Sequence, residues 1–240
     1  ISDVRIVNGT AVYTANTTPP TTPLTAIANT KLLCNFTNAG IYDASMNTNL
    51  RTVNDVKLST TQYKYGLSSM YFDGTTDFVT VTGNQQALYS MGNADFTIEM
   101  WIYTLSNNGH LIDTNNGGDA SGSGRFAMQI NSNQLQAYNG TGQTMIIGGT
   151  INTQTWYHIA YARASGVSKL FINGQQVGST YTDTNNYVCG NANRPILGVN
   201  GYDEASGSLN GYIDDLRITR GYARYTSTGF TPPERAFETK

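Results

Sequence analysis

The sequence predicts an all-β protein, folded as an antiparallel β-sandwich. Short apolar runs recur along the chain, and loops rich in Gly, Asn, Ser and Thr separate them. Charged residues make up only 12% of the 240 residues, so hydroxyls and amides must hydrate most of the surface. Many short strands joined by turns favour two stacked sheets, and about 200 to 250 residues is an ordinary size for one such domain.

The clearest strand pattern covers residues 96–103. Apolar side chains occupy one face of this predicted strand: Phe96, Ile98, Met100 and Ile102. The opposite face carries the alternate residues: Thr97, Glu99, Trp101 and Tyr103. Because successive side chains of a strand point to opposite faces, and because the second face includes two large aromatic side chains, we expect a central strand that is covered on both sides.

Two dipeptides predict tight turns between strands. Asn173-Gly174 follows the apolar run Leu170–Ile172, and both of its residues suit the positive φ angles of a type I′ hairpin turn. Asp73-Gly74 divides residues 70–81 into two apolar runs in the same way, so a second hairpin is expected there.

The remaining runs complete the predicted elements, of which only residues 84–91 have helical character. The other strands are expected near residues 31–36, 56–58, 69–72, 125–130, 135–138, 156–163, 169–172, 175–178, 194–198 and 209–219.

The two ends of the chain resemble each other. Residues 213–226 and 1–14 share Ile, Asp, Arg, Ile, Gly, Ala, Tyr and Thr at a constant offset of 212, since 213 − 1 = 212. A proline pair follows each copy at a slightly larger offset, since 232 − 19 = 213. This period is far longer than the roughly 20 to 50 residues of solenoid repeats, and it fits whole domains in tandem.

The repeat predicts how the chain is divided. Residues 1–14 are expected to be the closing strand of a preceding module, and residues 15–30 a linker that holds three of the six prolines. Residues 31–230 then form one complete module, and residues 231–240 begin the next linker.

Charge and hydropathy exclude some classes of partner. The formal net charge is −2, and no basic cluster offers a surface to nucleic acid or to an anionic membrane. No apolar run approaches the roughly 18 residues of a membrane-spanning helix. We therefore expect neither a nucleic acid nor a membrane as partner.

Four phrases occur in an order that identifies a family. They are Asp95–Ile102, Trp156–Ala160, Leu170–Gly174 and Gly211–Ile218. In this order they resemble the laminin-G-like, concanavalin-A-like jelly rolls over about residues 31–237. The tail, with Arg224-Tyr225-Thr226 before Phe230-Thr231-Pro232-Pro233, is similar to modules found in tandem in phage and bacterial surface proteins. The resemblance implies a jelly-roll sandwich in an extracellular, cell-surface or virion-associated protein.

Catalytic signatures are missing from the sequence. Glycanases of this superfold carry two carboxylates on one strand, and such pairs must stand close together. The matching strand offers Glu99 without a second acid, because Asp95 precedes it. His110 and His158 are the two histidines, and neither has an acid or a nucleophile at a recognisable spacing. We therefore expect no enzyme, with His158 in a structural role.

Calcium is the metal that the resemblance implies. Relatives hold an ion near an early acidic loop, and residues 43–49 supply oxygen donors there, although Met46 stands where the family has glycine. Asp43 and Asn47 are the candidate ligands in this loop. The repeat selects Asp214 as the third, because its counterpart is Ser2, whereas Asp215 matches Asp3. A solvated turn capped by Asp43 is the alternative.

Aromatic side chains supply the candidate ligand-binding surface. Trp101 and Tyr103 on the central strand, with Tyr138 and Tyr161 on nearby strands, could stack against sugar rings. A second packed layer is the alternative interpretation for Trp101. Three loop tyrosines are expected to be exposed contacts, because loops carry much of protein binding: Tyr181, Tyr187 and Tyr202.

The sequence therefore predicts a non-catalytic binding or adhesion module from a tandem surface protein. Its expected partners are a glycan or a protein surface, together with adjacent copies of the same module. Two alternatives stay open. Residues 1–7 could pair with the sheet edge of a neighbouring copy and so build dimers or filaments, and a glycoside hydrolase is the third and weakest interpretation.

Overall fold

A computed structural model describes residues 4–22, 24–25, 27–34, 41, 45, 48–115, 124–139, 142–189 and 193–237. The chain divides into two compact units, Ile1–Gly40 and Ile41–Lys240. Lys31, where the sequence predicts the start of the module, lies in the first unit because its strand pairs with a strand near the amino terminus.

The first unit contains a two-stranded antiparallel sheet. Its strands are β1 (Val4–Val7) and β2 (Thr30–Cys34), with Arg5 opposite Leu33. The Arg5 guanidinium donates a hydrogen bond to the carbonyl oxygen of Thr25 at 2.8 Å. A sheet of two strands has little stability by itself.

The second unit is a sandwich of two seven-stranded antiparallel sheets, which confirms the predicted fold class. In chain order its elements are β3 (Leu50–Val53), β4 (Lys57–Ser59), β5 (Ser69–Asp73), β6 (Phe78–Val81), α1 (Gln86–Tyr89), β7 (Phe96–Thr104), β8 (Gly109–Asp113), β9 (Phe126–Asn131), β10 (Gln134–Asn139), β11 (Thr144–Thr150), β12 (Trp156–Ala164), β13 (Val167–Ile172), β14 (Gln175–Thr182), β15 (Ile196–Leu197) and β16 (Asn210–Arg220). Sheet 1 has the order β14-β13-β12-β7-β16-β5-β4, and sheet 2 has the order β11-β10-β9-β8-β15-β6-β3.

Strand β7 occupies the middle of sheet 1, as its alternating pattern predicts. Its apolar face enters the core between the sheets, where Phe96 meets Phe126 of sheet 2 edge to face at a centroid distance of 5.9 Å. Its other face is also covered, since Thr97 and Glu99 are fully buried. Burial on both faces keeps this strand away from water along almost its whole length.

One of the two predicted hairpins forms. Asn173 and Gly174 have φ angles of 49° and 77° and join β13 to β14, as a type I′ turn requires. The hairpin predicted at Asp73-Gly74 is wrong, because β5 pairs within sheet 1 whereas β6 pairs within sheet 2. The connection crosses between the sheets, and the Asp77 carboxylate holds it by accepting the backbone N–H groups of Asp55 and Asp73.

Three strands were not predicted: β3, β8 and β11. Strand β11 contains Gly148 and Gly149, and glycine is depleted in strands because it has no side chain to pack. Here glycine is required for packing, because a Cβ at Gly148 would collide with the backbone of Gly178 in β14. The edges of the two sheets meet at this point, so a local feature that argues against a strand is explained by a tertiary contact.

The residues after β16 cover the outer face of sheet 1. We call residues 221–237 the strap. Tyr225 and Phe230 of the strap stack in parallel at a centroid distance of 3.5 Å and pack on Phe171. The strap is tied down at its far end by the Tyr65 hydroxyl, which donates to the Pro233 carbonyl oxygen at 2.6 Å. The strap therefore covers the part of this outer face that surrounds Glu99 and Phe171.

Helices contribute little to the architecture. Strand β16 is followed by irregular chain, and α1 spans only four residues. Within the described ranges, no helix has the length and apolar character needed to span a membrane.

The strap predicts a large cost for adding a side chain at Gly174. Alanine there would adopt a left-handed conformation, which costs about 1–2 kcal/mol, and its Cβ would also collide with the Phe230 carbonyl oxygen. We expect Gly174→Ala to lower the free energy of unfolding by about 3 kcal/mol or more, measured by urea denaturation.

Gly66→Ala is the matched control, because Gly66 has a φ of +65° and no atom lies within 4 Å of the position that its Cβ would take. It should cost only the conformational part, about 1 kcal/mol. Equal losses in the two variants would contradict close packing of the strap on this turn.

Candidate functional site

The outer face of sheet 1 is organised around the buried carboxylate of Glu99. Arg217 of β16 donates from Nη2 to Glu99 Oε1 at 2.8 Å, and the Tyr225 hydroxyl of the strap donates to Oε2 at 2.6 Å. His158 Nε2 lies 3.2 Å from Oε2. Burial acts to raise the pKa of Glu99, but these hydrogen bonds and the Arg217 charge outweigh it, so the pKa is lowered. Glu99 is thus a structural anchor for the strap.

The predicted platform on this face is a packed layer. Trp101 is 6% exposed, with the Tyr65 ring edge-on at 5.8 Å and the Lys64 ammonium 4.1 Å from its ring centroid. Tyr103 is half-buried against Trp156 and Tyr212. The alternative interpretation of Trp101, that it belongs to a second packed layer, therefore agrees with the structure. Its ring has no open face for a sugar.

Two other predicted contact residues are also buried. The hydroxyls of Tyr161 and Tyr187 donate to Oδ2 of Asp183 at 3.0 and 2.9 Å, and both side chains lie in the core. The expectation that Tyr187 is exposed is wrong, because its hydroxyl is needed to satisfy this buried carboxylate. Tyr181 is half-buried beside the amide of Asn185. This end of the sandwich is a closed polar network.

Asp214 is engaged with the backbone. Its Oδ2 accepts the N–H groups of Lys64 and Tyr65 at 2.7 and 3.1 Å. A bulge in β16, with Asp215 at a φ of 46°, places Asp214 opposite Trp101 and Arg217 opposite Glu99. The two residues therefore share the outer face, although they are three positions apart.

The predicted calcium loop cannot be related to Asp214. Asp43 and Asn47 lie outside the described residues. Among the residues that are described, no group of three or more His, Cys, Asp and Glu side chains is arranged to hold a metal ion. Calcium therefore stays a prediction.

The outer face of sheet 2 is different in character. Residues of β8, β9 and β10 that alternate with core residues carry amide, hydroxyl and imidazole groups here. We call this surface the amide face, and its residues are His110, Gln129, Asn131, Gln134, Gln136 and Tyr138. Gln129 lies opposite both His110 and Gln136, and its amide donates to Gln136 Oε1 at 3.1 Å. Ile147 of the neighbouring edge strand β11 lies opposite Gln136 and is 43% exposed.

His110 is held as a neutral imidazole. Its Nδ1 lies 3.3 Å from the Gly207 carbonyl oxygen, which can only accept, so Nδ1 carries the proton and Nε2 accepts from the Tyr138 hydroxyl at 2.5 Å. Burial lowers the pKa of His110 to about 4. The Tyr138 oxygen, after donating to His110, keeps lone pairs that can accept a hydrogen bond.

A loop over residues 199–207 borders the amide face. It is pinned by the buried Arg194, whose Nη2 donates to the Gly201 carbonyl oxygen at 2.7 Å and to Glu204 Oε1 at 2.8 Å. Asp113 also accepts the Gly201 N–H, and burial raises the pKa of Asp113 to about 6. Tyr202 projects from this loop with 46% of its surface exposed, in agreement with its predicted exposure.

The amide face has almost no positive charge. Strands β8 to β11 and their connecting loops lie within residues 105–155, where Arg125 is the one Lys or Arg in the sequence. Arg125 is 3% exposed, and its guanidinium contacts the Asn115 side chain. Arg51 lies on β3, at the opposite edge of the sheet. The surface is therefore polar but uncharged.

Comparison with known families identifies the fold family. The profile described as the concanavalin A-like lectin/glucanases superfamily matches residues 73–223, more than half of the chain. The chain belongs to this superfamily. Among curated proteins, none matches the sequence.

Several solved structures share the fold at low identity. Domain 4 of AbnA, an extracellular arabinanase from Geobacillus stearothermophilus in complex with arabinotriose, is 15% identical with a TM-score of 0.51, over 72% of this chain and 83% of that one. The CBM40 of a Ruminococcus gnavus sialidase, bound to α2,3-sialyllactose, is 14% identical with a TM-score of 0.52, over 70% and 95%. At these identities the likeness shows the fold.

A toxin domain gives a similar result. The binding domain of Paraclostridial Mosquitocidal Protein 1 is 17% identical with a TM-score of 0.54, over 75% of this chain. The chain spans 45% of that domain.

Of the seven predicted contact residues, the structure brings only Tyr138 onto the amide face itself, with Tyr202 on the bordering loop. Five residues of this face were missed: His110, Gln129, Asn131, Gln134 and Gln136. A signal was present, because Gln134, Gln136 and Tyr138 alternate with Leu135 and Ala137 in the sequence. Aromatic residues are the more conspicuous mark of sugar binding, and they obscured this amide alternation.

We expect the protein to lose stability toward unfolding when the charge of Glu99 is removed. Glu99→Gln keeps the shape of the side chain but leaves Arg217 without its carboxylate, and breaking a buried ion pair of this kind costs about 3 kcal/mol. Urea denaturation should show this loss, whereas Tyr225→Phe, which removes one hydroxyl, should cost about 1 kcal/mol. A Glu99→Gln protein as stable as the wild type would show that the strap is held by other contacts.

His110 predicts a dependence of stability on pH. Its pKa is lowered from 6.5 in the unfolded chain to about 4 in the folded state, so its contribution is complete above pH 6.5 and is lost as pH falls toward 4. The loss amounts to about 3 kcal/mol. Asp113 acts in the opposite direction, because a folded pKa of about 6 lies above its unfolded value of 3.8.

The His110→Gln variant separates the contribution of His110 to the pH dependence of stability from that of Asp113. The difference in unfolding free energy between wild type and variant should grow in favour of wild type between pH 4 and pH 6.5, and the variant alone should lose stability as pH rises toward 6. Urea titrations at several pH values measure both trends. A difference that is constant across this range would contradict a buried neutral His110.

Proposed function

We propose that the second unit is a non-catalytic carbohydrate-binding module that takes neutral oligosaccharides on the amide face. The observation that carries this proposal is the contrast between the two outer faces of the sandwich. The strap covers sheet 1 around Glu99 and Phe171. The β9 to β11 half of sheet 2 instead presents Gln129, Gln134 and Ile147 at least partly to solvent, beside the buried His110 and Gln136.

The chemistry of the amide face suits sugar hydroxyls. Each glutamine amide both donates and accepts hydrogen bonds, and a sugar hydroxyl does the same. Gln129 and Gln136 already hydrogen-bond each other, which orients their remaining donor and acceptor groups. Ile147 adds apolar surface beside them, as the apolar face of a sugar ring requires. Ligand sites combine apolar surface with a few placed polar groups in this way.

The lack of charge selects among glycans. A sialylated or uronic-acid glycan carries a carboxylate, which is best recognised by an Arg or Lys. Arg125 and Arg194 are buried and already hydrogen-bonded. The charge of Asp203, which lies near His110, would repel an anion. A neutral glycan meets no such penalty.

The structural relatives support a carbohydrate as ligand. One was solved with arabinotriose and another with sialyllactose, so this sandwich can present sugar-binding surfaces. The uncharged amide face favours a ligand that resembles the first, neutral oligosaccharide in charge. A protein surface is the ligand that would remain if no glycan bound.

A non-catalytic role is consistent with the position of the acids. A glycosidase needs a pair of carboxyl groups about 5 to 9.5 Å apart that face the substrate. Glu99 is committed to Arg217, His158 and Tyr225 beneath the strap, and Asp113 is 1% exposed and accepts backbone N–H groups. With this role we propose an extracellular, cell-surface or virion-associated setting, and the repeat of residues 1–14 in residues 213–226 supports further copies of the module in tandem.

The proposal predicts selectivity for neutral glycans that is insensitive to salt. A glycan array followed by calorimetry should detect neutral oligosaccharides and no sialylated ones, and the affinity should not change between low and high ionic strength, because no ion pair is screened. Gln129→Ala should weaken binding about tenfold, as expected for the loss of one or two buried hydrogen bonds.

Tyr222→Ala is the matched control, because Tyr222 is 62% exposed on the strap and should not affect binding. Loss of binding in Tyr222→Ala but not in Gln129→Ala would move the site to sheet 1. An array without any bound glycan would refute the proposal.

A further inference from the structure

The residues of β16 and the strap that hold the second unit together recur near the amino terminus. In the aligned repeat Arg5 corresponds to Arg217, and Tyr13 corresponds to Tyr225. These two counterparts are the side chains that donate to the buried Glu99 from β16 and from the strap. The repeat therefore contains counterparts of both residues that hydrogen-bond one carboxylate. A chance similarity between two strands would not be expected to include both.

The backbone also repeats. Gly9 has a φ of 78°, and its counterpart Gly221 has a φ of 82°. In the second unit this glycine marks the point where the chain leaves β16 and begins the strap. A left-handed conformation favours glycine, so the same turn is encoded and adopted at the end of β1. Both segments then proceed to a proline pair.

The first unit leaves the repeated side chains uncovered. Ile6 and Tyr13 are 53% and 54% exposed. Their counterparts Ile218 and Tyr225 are partly buried, with Ile218 against the core and Tyr225 against Phe230 and Phe171. Two large apolar side chains on one short segment that lack the cover found for their counterparts indicate a surface that binds another surface.

An edge of β1 is available for pairing. Arg217–Arg220 pair with β7 alone, since β5 contacts β16 only over Asn210–Ile213. The corresponding part of the closing strand thus needs one partner edge. Within the described residues β1 pairs only with β2, so one of its edges is unpaired, and an unpaired edge is a template for strand addition.

We propose that residues 4–20 are a donor segment that completes another sandwich of this type. Its strand would lie beside the central strand of that sandwich, and its tail would cover the outer face, with Arg5 and Tyr13 gripping the buried carboxylate at the position of Glu99. The partner is a second sandwich of this fold whose own chain does not supply a closing strand, and a copy of residues 41–212 stands for it in the test below. The interaction does not depend on carbohydrate binding.

The donor segment differs from the strap at the position of Phe230, and this difference should affect stability. Phe230, which stacks on Tyr225, corresponds to threonine at residues 17–18. The donor segment therefore lacks one aromatic layer of the strap. A sandwich that it completes should be less stable than the second unit of this chain.

The test places a second copy of residues 41–212 directly before residue 1 of the full chain, so that Ile1 follows Tyr212 as Ile213 does. If residues 4–20 act as donor, both sandwiches should fold. Limited thermolysin digestion should then cut in the linker and release an upstream fragment that carries residues 41–212 joined to residues 1 to about 20, identified by intact mass. Digestion of the upstream copy beside a resistant full chain would overturn the proposal.

Substitutions in the donor segment test whether Arg5 and Tyr13 contact the buried carboxylate of the partner sandwich as proposed. Arg5→Ala combined with Tyr13→Phe should shift the unfolding equilibrium of the upstream fragment by at least about tenfold in pulse proteolysis, and should leave the downstream sandwich unchanged. Thr10→Ala is the control, because Thr10 corresponds to the exposed Tyr222. An upstream sandwich that resists digestion equally well with and without Arg5 and Tyr13 would overturn the assignment of these residues.

Discussion

The buried carboxylate of Glu99 is the constraint around which the second unit is arranged. A charged group in the middle of a sheet is costly unless hydrogen bonds and opposite charge surround it. Arg217 from the neighbouring strand, His158 from the strand on the other side and Tyr225 from the strap meet this need together. The last of these contacts requires the chain to turn back after β16, and so the outer face of sheet 1 becomes covered.

Covering one face determines what the other can do. On sheet 1 the aromatic side chains Trp101 and Tyr103 pack against other side chains near the strap. Sheet 2 carries instead a surface of amides beside Ile147, bordered by a loop that Arg194 fixes in place. Neutral, polar and partly apolar, this surface matches the chemistry of an uncharged sugar better than that of an anion. The distribution of charge, more than the count of aromatic residues, distinguishes the two faces.

The grip on Glu99 also connects the sandwich to its repeat. A closing strand followed by a strap can be replaced in principle by an equivalent segment from another module, provided that the segment carries the arginine, the glycine turn and the tyrosine. Residues 4–20 carry all three. A tandem protein built in this way would join its modules through shared contacts as well as through a linker.

The sequence by itself determined the fold class, the central strand at residues 96–103 and the Asn173-Gly174 hairpin, because these depend on local alternation and on turn chemistry. It did not determine the fate of Asp73-Gly74, where the strands on either side enter different sheets, nor the glycine-rich strand β11, which is explained by the close approach of Gly148 to Gly178. Half of the candidate site had a local signal in the alternation of Gln134, Gln136 and Tyr138. Only the tertiary structure decided which face of which sheet the strap covers, because that outcome depends on Glu99, which is distant in sequence from Arg217 and Tyr225 and meets them only in the folded chain.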